Sequence, residues 1–328
     1  MKVALDVMGG DYAPLEILKG ACLASQEFKD LELILVGKSS AIKEYLEKEN
    51  LKFKFSLIEA AENIEMADSP ALSVRRKKGS SIVKGVELIK NKEADAFVSC
   101  GNTGALVCAS TLYLGLIEGI ERPGIGLVFP TLEGSSLMID VGANIDPKPL
   151  HLFQYALMAQ VYSQKVLNKP NPSLGLLNIG EEETKGPEFL RETSSLLKKN
   201  FSNFLGNIEP KDIFIGICDC IISDGLAGNI ALKVSEGFAE AVAKFLISEV
   251  KKDFLGSLGL GLLKRSLKRF SQMIDYAEYG GAPLLGIDGV VIIGHGRSNA
   301  KAVKNAIRAA LKELEVNINE EIKTRIKN

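Results

Sequence analysis

The chain has 328 residues, with 40 lysines and arginines against 41 aspartates and glutamates, so its formal net charge of −1 gives no bulk attraction to nucleic acid. Its hydrophobic fraction of 46% and charged fraction of 25% are those of a globular chain long enough for one large domain. The five cysteines are odd in number and lie in apolar runs, which argues against a disulfide scaffold and for a reducing compartment.

Short apolar runs alternate with longer helical patterns along most of the chain. The predicted strands are residues 3–7, 31–36, 94–99, 126–129, 137–141, 174–179, 218–223 and 288–294. The predicted helices are residues 15–28, 41–50, 105–117, 150–167, 188–199 and 298–314. This order predicts a single large α/β domain over residues 1–328, with a mostly parallel sheet inside a three-layer α/β/α arrangement.

After residue 230 the pattern changes to two helices joined by an apolar, glycine-rich tip, which predicts a protruding helical hairpin over residues 231–275. Its apolar stripe beside basic charge favours contact with an anionic membrane, although a dimer or core contact with solvated lysines fits the same pattern. The residues predicted to contact the membrane are Leu258, Leu260, Leu262, Leu263, Lys264 and Arg265. Residues 315–328 are expected to form a polar C-terminal tail.

No membrane-spanning segment is expected. The longest uncharged stretch, residues 96–117, is divided by a polar turn at residues 99–104. Asp6 comes too early for the apolar core of a signal peptide. These two features favour a cytoplasmic protein.

Five loops that follow predicted strands pair glycine with aspartate or asparagine, at residues 6–11, 99–104, 140–144, 178–182 and 223–229. Glycine lets backbone N–H groups approach a ligand, and a following helix adds its positive end, so such turns can bind small anions. We expect all five on one edge of the sheet, as a shared polar site. The candidate residues of these loops are Asp6, Gly9, Gly10, Asp11, Gly101, Asn102, Thr103, Gly104, Asn144, Asn178 and Asp224. His295 follows a later strand and could either touch a ligand or make a structural hydrogen bond.

Several familiar sites are missing from the sequence. The Gly-x-Gly pairs lack the third glycine of a dinucleotide fingerprint, and no Gly-x4-Gly-Lys-Ser/Thr loop for ATP occurs. No His-Glu-x-x-His motif and no second Cys or His pair at zinc spacing is found. We therefore expect no nucleotide, cofactor or metal. The anion-binding turns and the isolated cation Lys185 indicate chemistry on a phosphate.

Four longer motifs lie in register at residues 6–14 (DVMGGDYAP), 99–105 (SCGNTGA), 175–182 (GLLNIGEE) and 279–286 (YGGAPLLG). They closely resemble the bacterial PlsX family of acyl-carrier-protein:phosphate acyltransferases, and the resemblance runs from residue 1 to about residue 314. The resemblance implies a fold similar to those of isocitrate dehydrogenase and phosphotransacetylase, and a homodimer. It also implies transfer of a long-chain acyl group from acyl carrier protein to inorganic phosphate, which gives acyl phosphate for phosphatidic acid synthesis.

Further expectations follow from the same resemblance. The protein would contact the inner face of the membrane peripherally, and with it the downstream acyl-phosphate:glycerol-3-phosphate acyltransferase. Lys185 and Asn229 match positions that the family uses in catalysis. The basic run Arg75, Arg76, Lys77 and Lys78 would meet the acidic carrier protein or the phosphate of its prosthetic arm, although such a run also suits a solvated face.

The expected mechanism is direct attack by phosphate without an acyl-enzyme. Thioester and acyl phosphate are both activated, so exchange between them needs no ATP. Lys185 would orient the phosphate, the N–H groups of residues 101–104 would cradle it, and Asn229 would donate to the carbonyl oxygen as it becomes an oxyanion. Two other functions remain open at this point. One is a non-enzymatic, membrane-peripheral scaffold that binds acyl carrier protein. The other is a nicotinamide-dependent dehydrogenase of the related fold, for which nucleotide and metal sites are not evident.

Overall fold

The computed structural model describes residues 1–250 and 280–327. The predicted membrane-contact residues of the hairpin lie outside the described residues: Leu258, Leu260, Leu262, Leu263, Lys264 and Arg265. Within the described ranges, no helix is long and apolar enough to cross a membrane.

The strands of the described residues are β1 (Lys2–Asp6), β2 (Glu32–Gly37), β3 (Ser56–Glu59), β4 (Ala96–Ser99), β5 (Gly124–Thr131), β6 (Gly134–Ile139), β7 (Leu174–Leu177), β8 (Phe204–Ile208), β9 (Cys220–Ile222), β10 (Ala282–Leu285) and β11 (Val290–Ile293). The α-helices of the same residues are α1 (Leu15–Glu27), α2 (Ser39–Lys48), α3 (Pro70–Arg76), α4 (Ser81–Lys90), α5 (Thr103–Tyr113), α6 (Pro149–Lys165), α7 (Glu188–Asn200), α8 (Gly225–Val250), α9 (Ala300–Glu315) and α10 (Ile318–Lys327). The first helix of the predicted hairpin is thus part of α8, which begins six residues earlier than expected, at Gly225.

The strands form one sheet of 11 strands in the order β3-β2-β1-β4-β11-β10-β5-β6-β9-β7-β8. Pairing is parallel from β3 through β11 and again from β6 through β8. Three antiparallel steps interrupt it, because β10 opposes both of its neighbours and β5 and β6 form a hairpin. The mostly parallel sheet is confirmed, and its two parallel halves run in opposite directions.

Helices cover both faces of the sheet, as predicted. Alternate residues of β1 enter different cores: Val3 and Leu5 pack into one cluster and Ala4 into the other. The first cluster contains buried residues of α1, α6, α7 and α9, and the second contains buried residues of α3, α4 and α5. The three-layer α/β/α architecture therefore follows from strands that are apolar on both faces.

The expectation of a polar tail at residues 315–328 is wrong. Residues 318–327 form α10, and Ile318 and Ile322 are each 1% exposed, with Ile326 packed beside them. These three isoleucines recur every four residues, so they line one helical face that packs into the first core cluster. Because many charged residues lie between these isoleucines, the composition of the segment does not show this spacing.

Candidate active site

The predicted glycine turns fall into two groups, and the expectation of one shared edge is wrong as stated. The turns after β1 and β4 lie at one edge of the sheet, whereas those after β6, β7 and β9 lie at the other, because the antiparallel steps reverse the strands. The two groups are nevertheless linked, because Glu236 on α8, the helix that follows β9, lies 3.9 Å from His295 in the loop after β11.

In the first group, Asp6 ties the β1 and β4 loops together. It is fully buried, its Oδ1 accepts from the Met8 N–H at 3.0 Å, and its Oδ2 accepts from the Ser99 hydroxyl at 2.7 Å. Ser99 Oγ in turn accepts the N–H of Gly101 at 3.1 Å. Burial raises the pKa of Asp6, and these hydrogen bonds act against the rise. Asp6 therefore holds the β1 and β4 loops together from a buried position.

The same contact explains Gly9. A Cβ on this residue would lie 2.6 Å from Asp6 Oδ2 and 2.6 Å from the Gly101 nitrogen. The two loops approach so closely that only glycine fits between them. Beside them, the Asp11 N–H donates to the carbonyl of Gly296 at 2.7 Å, which joins the loop after β11 to this group.

Asn102 acts as the N-cap of α5, and both ends of its side chain are already hydrogen-bonded within the protein. Its Oδ1 accepts from the Ala105 N–H at 2.9 Å, and its Nδ2 donates to the carbonyls of residues 65, 66 and 68 at 3.0–3.3 Å. The Gly101 N–H is likewise used, by Ser99. Of the predicted cradle, the N–H groups of Thr103 and Gly104 precede the first intrahelical hydrogen bond, and they remain suited to an anion.

His295 links this group to α8. Its ring is half-buried, Nδ1 accepts from the Arg297 N–H at 3.1 Å, and Nε2 lies 3.9 Å from Glu236 Oε1 on α8. Burial lowers the pKa of His295, and the carboxylate of Glu236 acts against this. Because the Nδ1 lone pair is taken by a backbone donor, the neutral ring carries its proton on Nε2.

The second group is organised by Asp140, a buried carboxylate that follows β6. It accepts the N–H groups of Ile125, Gly142, Ala143 and Asn144 at 2.7–3.0 Å. The predicted site residue Asn144 is also structural, since its Nδ2 donates to the Pro123 carbonyl and to the Tyr155 hydroxyl, both at 2.6 Å.

Asn229 lies on the first turns of α8, beside this loop. Asp224 caps the helix, and its Oδ1 accepts from the N–H groups of Leu226 and Ala227 at 3.0 and 2.8 Å. Asn229 is exposed, and a Cβ on Gly142 would lie 3.9 Å from its Oδ1. No hydrogen bond joins the Asn229 amide to another described residue, so the amide is available to a ligand.

Lys185 is presented by the loop after β7. Asn178 is 4% exposed, its Nδ2 donates to the Lys185 carbonyl at 3.2 Å, and its Oδ1 accepts from the Ile179 N–H at 2.8 Å. The ammonium of Lys185 is exposed and makes no ion pair with any described residue. Since β7 and β9 are hydrogen-bonded neighbours, the loop that carries Lys185 and the loop that leads into α8 and Asn229 leave adjacent strands at one edge of the sheet.

Helix α8 runs from one group of loops to the other. Asn229 and Glu236 are seven residues apart and share a helical face, about 10 Å apart along the axis. One end of this face meets the loop at Gly142 and the other meets His295.

The basic run is only partly available to a partner. Lys77 pairs with Asp68 at 2.6 Å and donates to the Asn63 carbonyl at 2.8 Å. The other three residues of the run, Arg75, Arg76 and Lys78, are exposed and make no ion pair with described residues.

Comparison with known proteins gives consistent results. The family model described as "Fatty acid synthesis protein" matches residues 1–321. A phosphate acyltransferase of Dictyoglomus turgidum is 48% identical over 326 residues, which cover 98% of this chain and 96% of that protein. A phosphate acyltransferase of Desulfitobacterium hafniense is 49% identical over 324 residues, 98% of this chain and 97% of that protein. The fold is similar to that of a phosphotransacetylase from Streptococcus pyogenes, with a TM-score of 0.64 and 18% identity over 95% of this chain and 94% of that chain.

Proposed function

The chain belongs to the fatty acid synthesis protein family, and from this premise we propose that it transfers an acyl group to phosphate, the activity for which its relatives are named. We further propose that the donor is a long-chain acyl thioester of acyl carrier protein and that the acyl phosphate product serves phosphatidic acid synthesis. Because the relatives are named for an enzymatic activity, neither the scaffold nor the dehydrogenase is retained.

One observation carries the assignment of roles. Lys185 and Asn229 follow neighbouring strands at the same sheet edge, Lys185 in a loop and Asn229 on the first turns of α8. Both are exposed, and neither side chain has a partner among the described residues. An ammonium and an amide N–H are the two donors that the reaction needs. Lys185 neutralises and orients phosphate, and Asn229 donates to the carbonyl oxygen as negative charge develops there.

The reaction balances without a cofactor. A phosphate oxygen attacks the thioester carbonyl carbon, the C–S bond breaks, and the leaving thiolate takes a proton from solvent. Burial raises the pKa of Cys100, Cys218 and Cys220 to about 12 and keeps these thiols protonated, so none of the three is suited to an intermediate acyl-enzyme. The N–H groups of Thr103 and Gly104 add a helix-start cradle for the phosphate.

Helix α3 is the proposed docking site for the carrier protein. Arg75 and Arg76 at the end of the helix and Lys78 just after it offer three cations without an ion pair among the described residues to an acidic partner. The helix is fixed to the cradle, because Asn102 binds the carbonyls just before it and Pro70 packs on Gly104. A carrier bound on α3 would therefore deliver its prosthetic arm beside the start of α5.

A homodimer and a membrane contact complete the proposal. Large apolar side chains are exposed every three or four residues along α8, and we assign this stripe to a second copy of the chain: Leu226, Ile230, Val234, Phe238, Val242 and Phe245. Membrane contact is assigned to the segment that contains Leu258 and Leu262, which would place a cytoplasmic protein peripherally on the membrane. Replacing either leucine with glutamate should release the protein from anionic vesicles, and undiminished binding would remove this contact.

The deciding experiment measures free-thiol release from long-chain acyl carrier protein with and without inorganic phosphate, in EDTA and without nucleotide, with the product trapped by hydroxylamine. Phosphate-dependent release with trappable acyl phosphate is expected. Carrier binding without turnover at any phosphate concentration would refute the activity.

Two variants test the assigned roles in the same assay. Asn229→Ala should lower kcat about a hundredfold, because one oxyanion donor is worth roughly 3 kcal/mol. Lys185→Ala should raise KM for phosphate and lower kcat. Lys199→Ala, which removes an exposed lysine from α7, is the matched control. Wild-type constants for either test variant would eliminate its role.

A further inference from the structure

Asn207 of β8 binds the turn that presents Lys185, and it is not among the site residues predicted from the sequence. Asn207 Nδ2 donates to the carbonyl of Glu182 at 3.0 Å. The same carbonyl accepts the Lys185 N–H at 3.0 Å, which closes the turn from residue 182 to residue 185. Asn207 therefore binds the first residue of the turn whose last residue is Lys185.

The described residues satisfy only one end of this amide. Asn207 is 8% exposed, and its Oδ1 is buried without a hydrogen-bond partner among the described residues. A buried carbonyl oxygen without a partner costs folding free energy, and a leucine of similar size would avoid that cost. Such a group in a native structure calls for an explanation, and a functional role is one.

The charged side chains around the loop leave the Lys185 ammonium without a neighbouring counter-ion. Glu183 pairs with Lys198 at 2.5 Å and Glu181 lies 3.7 Å from Lys211, so two acids near Lys185 are held by cations outside the loop. Lys185 itself has no ion pair among the described residues. A turn of fixed geometry with an unneutralised ammonium is suited to a doubly charged anion.

We propose that Asn207 is a positioning residue for Lys185. By binding the Glu182 carbonyl it fixes the turn, and the turn places the Lys185 ammonium to bind phosphate. This inference rests on the proposed role of Lys185. It assigns Asn207 no contact with substrate. It also predicts that the amide contributes to phosphate binding at the expense of folding stability.

The test is Asn207→Leu, with Asn203→Leu as the matched control. Asn203 lies just before β8, at the other end of the same strand, and its Nδ2 also donates to a loop carbonyl, that of Pro172. Asn207→Leu should raise KM for phosphate roughly tenfold, leave KM for the carrier unchanged, and leave Tm equal to or above that of the wild type. Asn203→Leu should leave both KM values unchanged. A lower Tm with an unchanged KM for phosphate would show that Asn207 is merely structural.

A double-mutant cycle separates this inference from the proposed function. In the Lys185→Ala background, Asn207→Leu should have no further effect on kcat/KM for phosphate, because the group it positions is gone. Equal effects in both backgrounds would overturn the positioning role while leaving that of Lys185 intact. Wild-type kinetics for Lys185→Ala would instead refute the proposed function of Lys185, and the inference with it.

Discussion

Glu313 is a carboxylic acid enclosed in the protein, and replacing it with glutamine should stabilise the fold increasingly as the pH rises. The side chain is on α9, is 2% exposed, and has a buried Oε1 without a partner among the described residues. Burial raises its pKa from 4.5 to about 8, against a smaller opposing effect of the hydrogen bond with Tyr162. The native protein thus holds the carboxyl group in its neutral form at pH 7.

The sign and size of the effect follow from proton linkage. Between pH 4.5 and about 8 the folded state keeps a proton that the unfolded state has lost, so the free energy of unfolding falls as pH rises. The loss is about 1.4 kcal/mol per pH unit and about 5 kcal/mol over the whole interval, with no further loss above pH 8. Glutamine is neutral throughout, so Glu313→Gln should lack this pH dependence.

Urea denaturation of both proteins at half-unit steps from pH 5 to pH 9 measures the difference directly. Glu315→Gln, which removes an exposed carboxylate from the same helix, controls for the change in net charge. A stability difference between Glu313→Gln and the wild type that stays constant over this range would show that the buried carboxyl group does not retain its proton.

Three further outcomes are expected. Gly9→Ala places a Cβ 2.6 Å from Asp6 Oδ2, so it should separate the β1 and β4 loops and raise KM for phosphate at least tenfold. The control is Gly237→Ala on α8, whose Cβ meets nothing within 4 Å. Equal KM values in the two variants would contradict the argument. Asp224→Ala removes the cap of α8 and should lower the free energy of unfolding by about 1 kcal/mol in denaturant experiments. It should also lower kcat, because the helix turn that carries Asn229 is less well fixed. An unchanged kcat would show that Asn229 is fixed independently of the cap. Phe238→Lys introduces charge into the exposed α8 stripe and should convert the protein to a monomer in light scattering, and a dimer that persists would place the interface elsewhere.

The eight predicted strands and the six predicted helices are present in the predicted order, because both faces of most strands are apolar and the helices between them have a clear period. The sequence analysis did not predict β3, β8 and β10 or α3, α4 and α10. The direction of the strands was not predictable, because an apolar run such as β6 has the same pattern whichever way it points. The short turn at Leu132 and Glu133, followed by Gly134, joins β5 and β6 too closely for a parallel crossover. That spacing was the available indication of a hairpin.

Within the candidate site, the sequence located the loops better than it separated their roles. Asn102, Asn144 and Asn178 are of the same residue type as Asn229, yet each uses its amide within the protein. A capping asparagine and a ligand-binding asparagine are chemically identical, so their neighbours in space decide. Asn207 was not predicted as a site residue, since a single polar residue in a short strand is ordinary.

Helix α8 begins beside the loop at Gly142 and carries the exposed stripe, from Leu226 to Phe245, along most of its 26 residues, about 39 Å at 1.5 Å per residue. With the proposed ligand site at Asn229, any molecule that covers the stripe and favours one orientation of the helix changes the free energy of ligand binding. Thermodynamic reciprocity then requires the ligand to change the affinity of that molecule by the same factor. Self-association measured with and without substrate therefore reads out the coupling energy between the stripe and the proposed site.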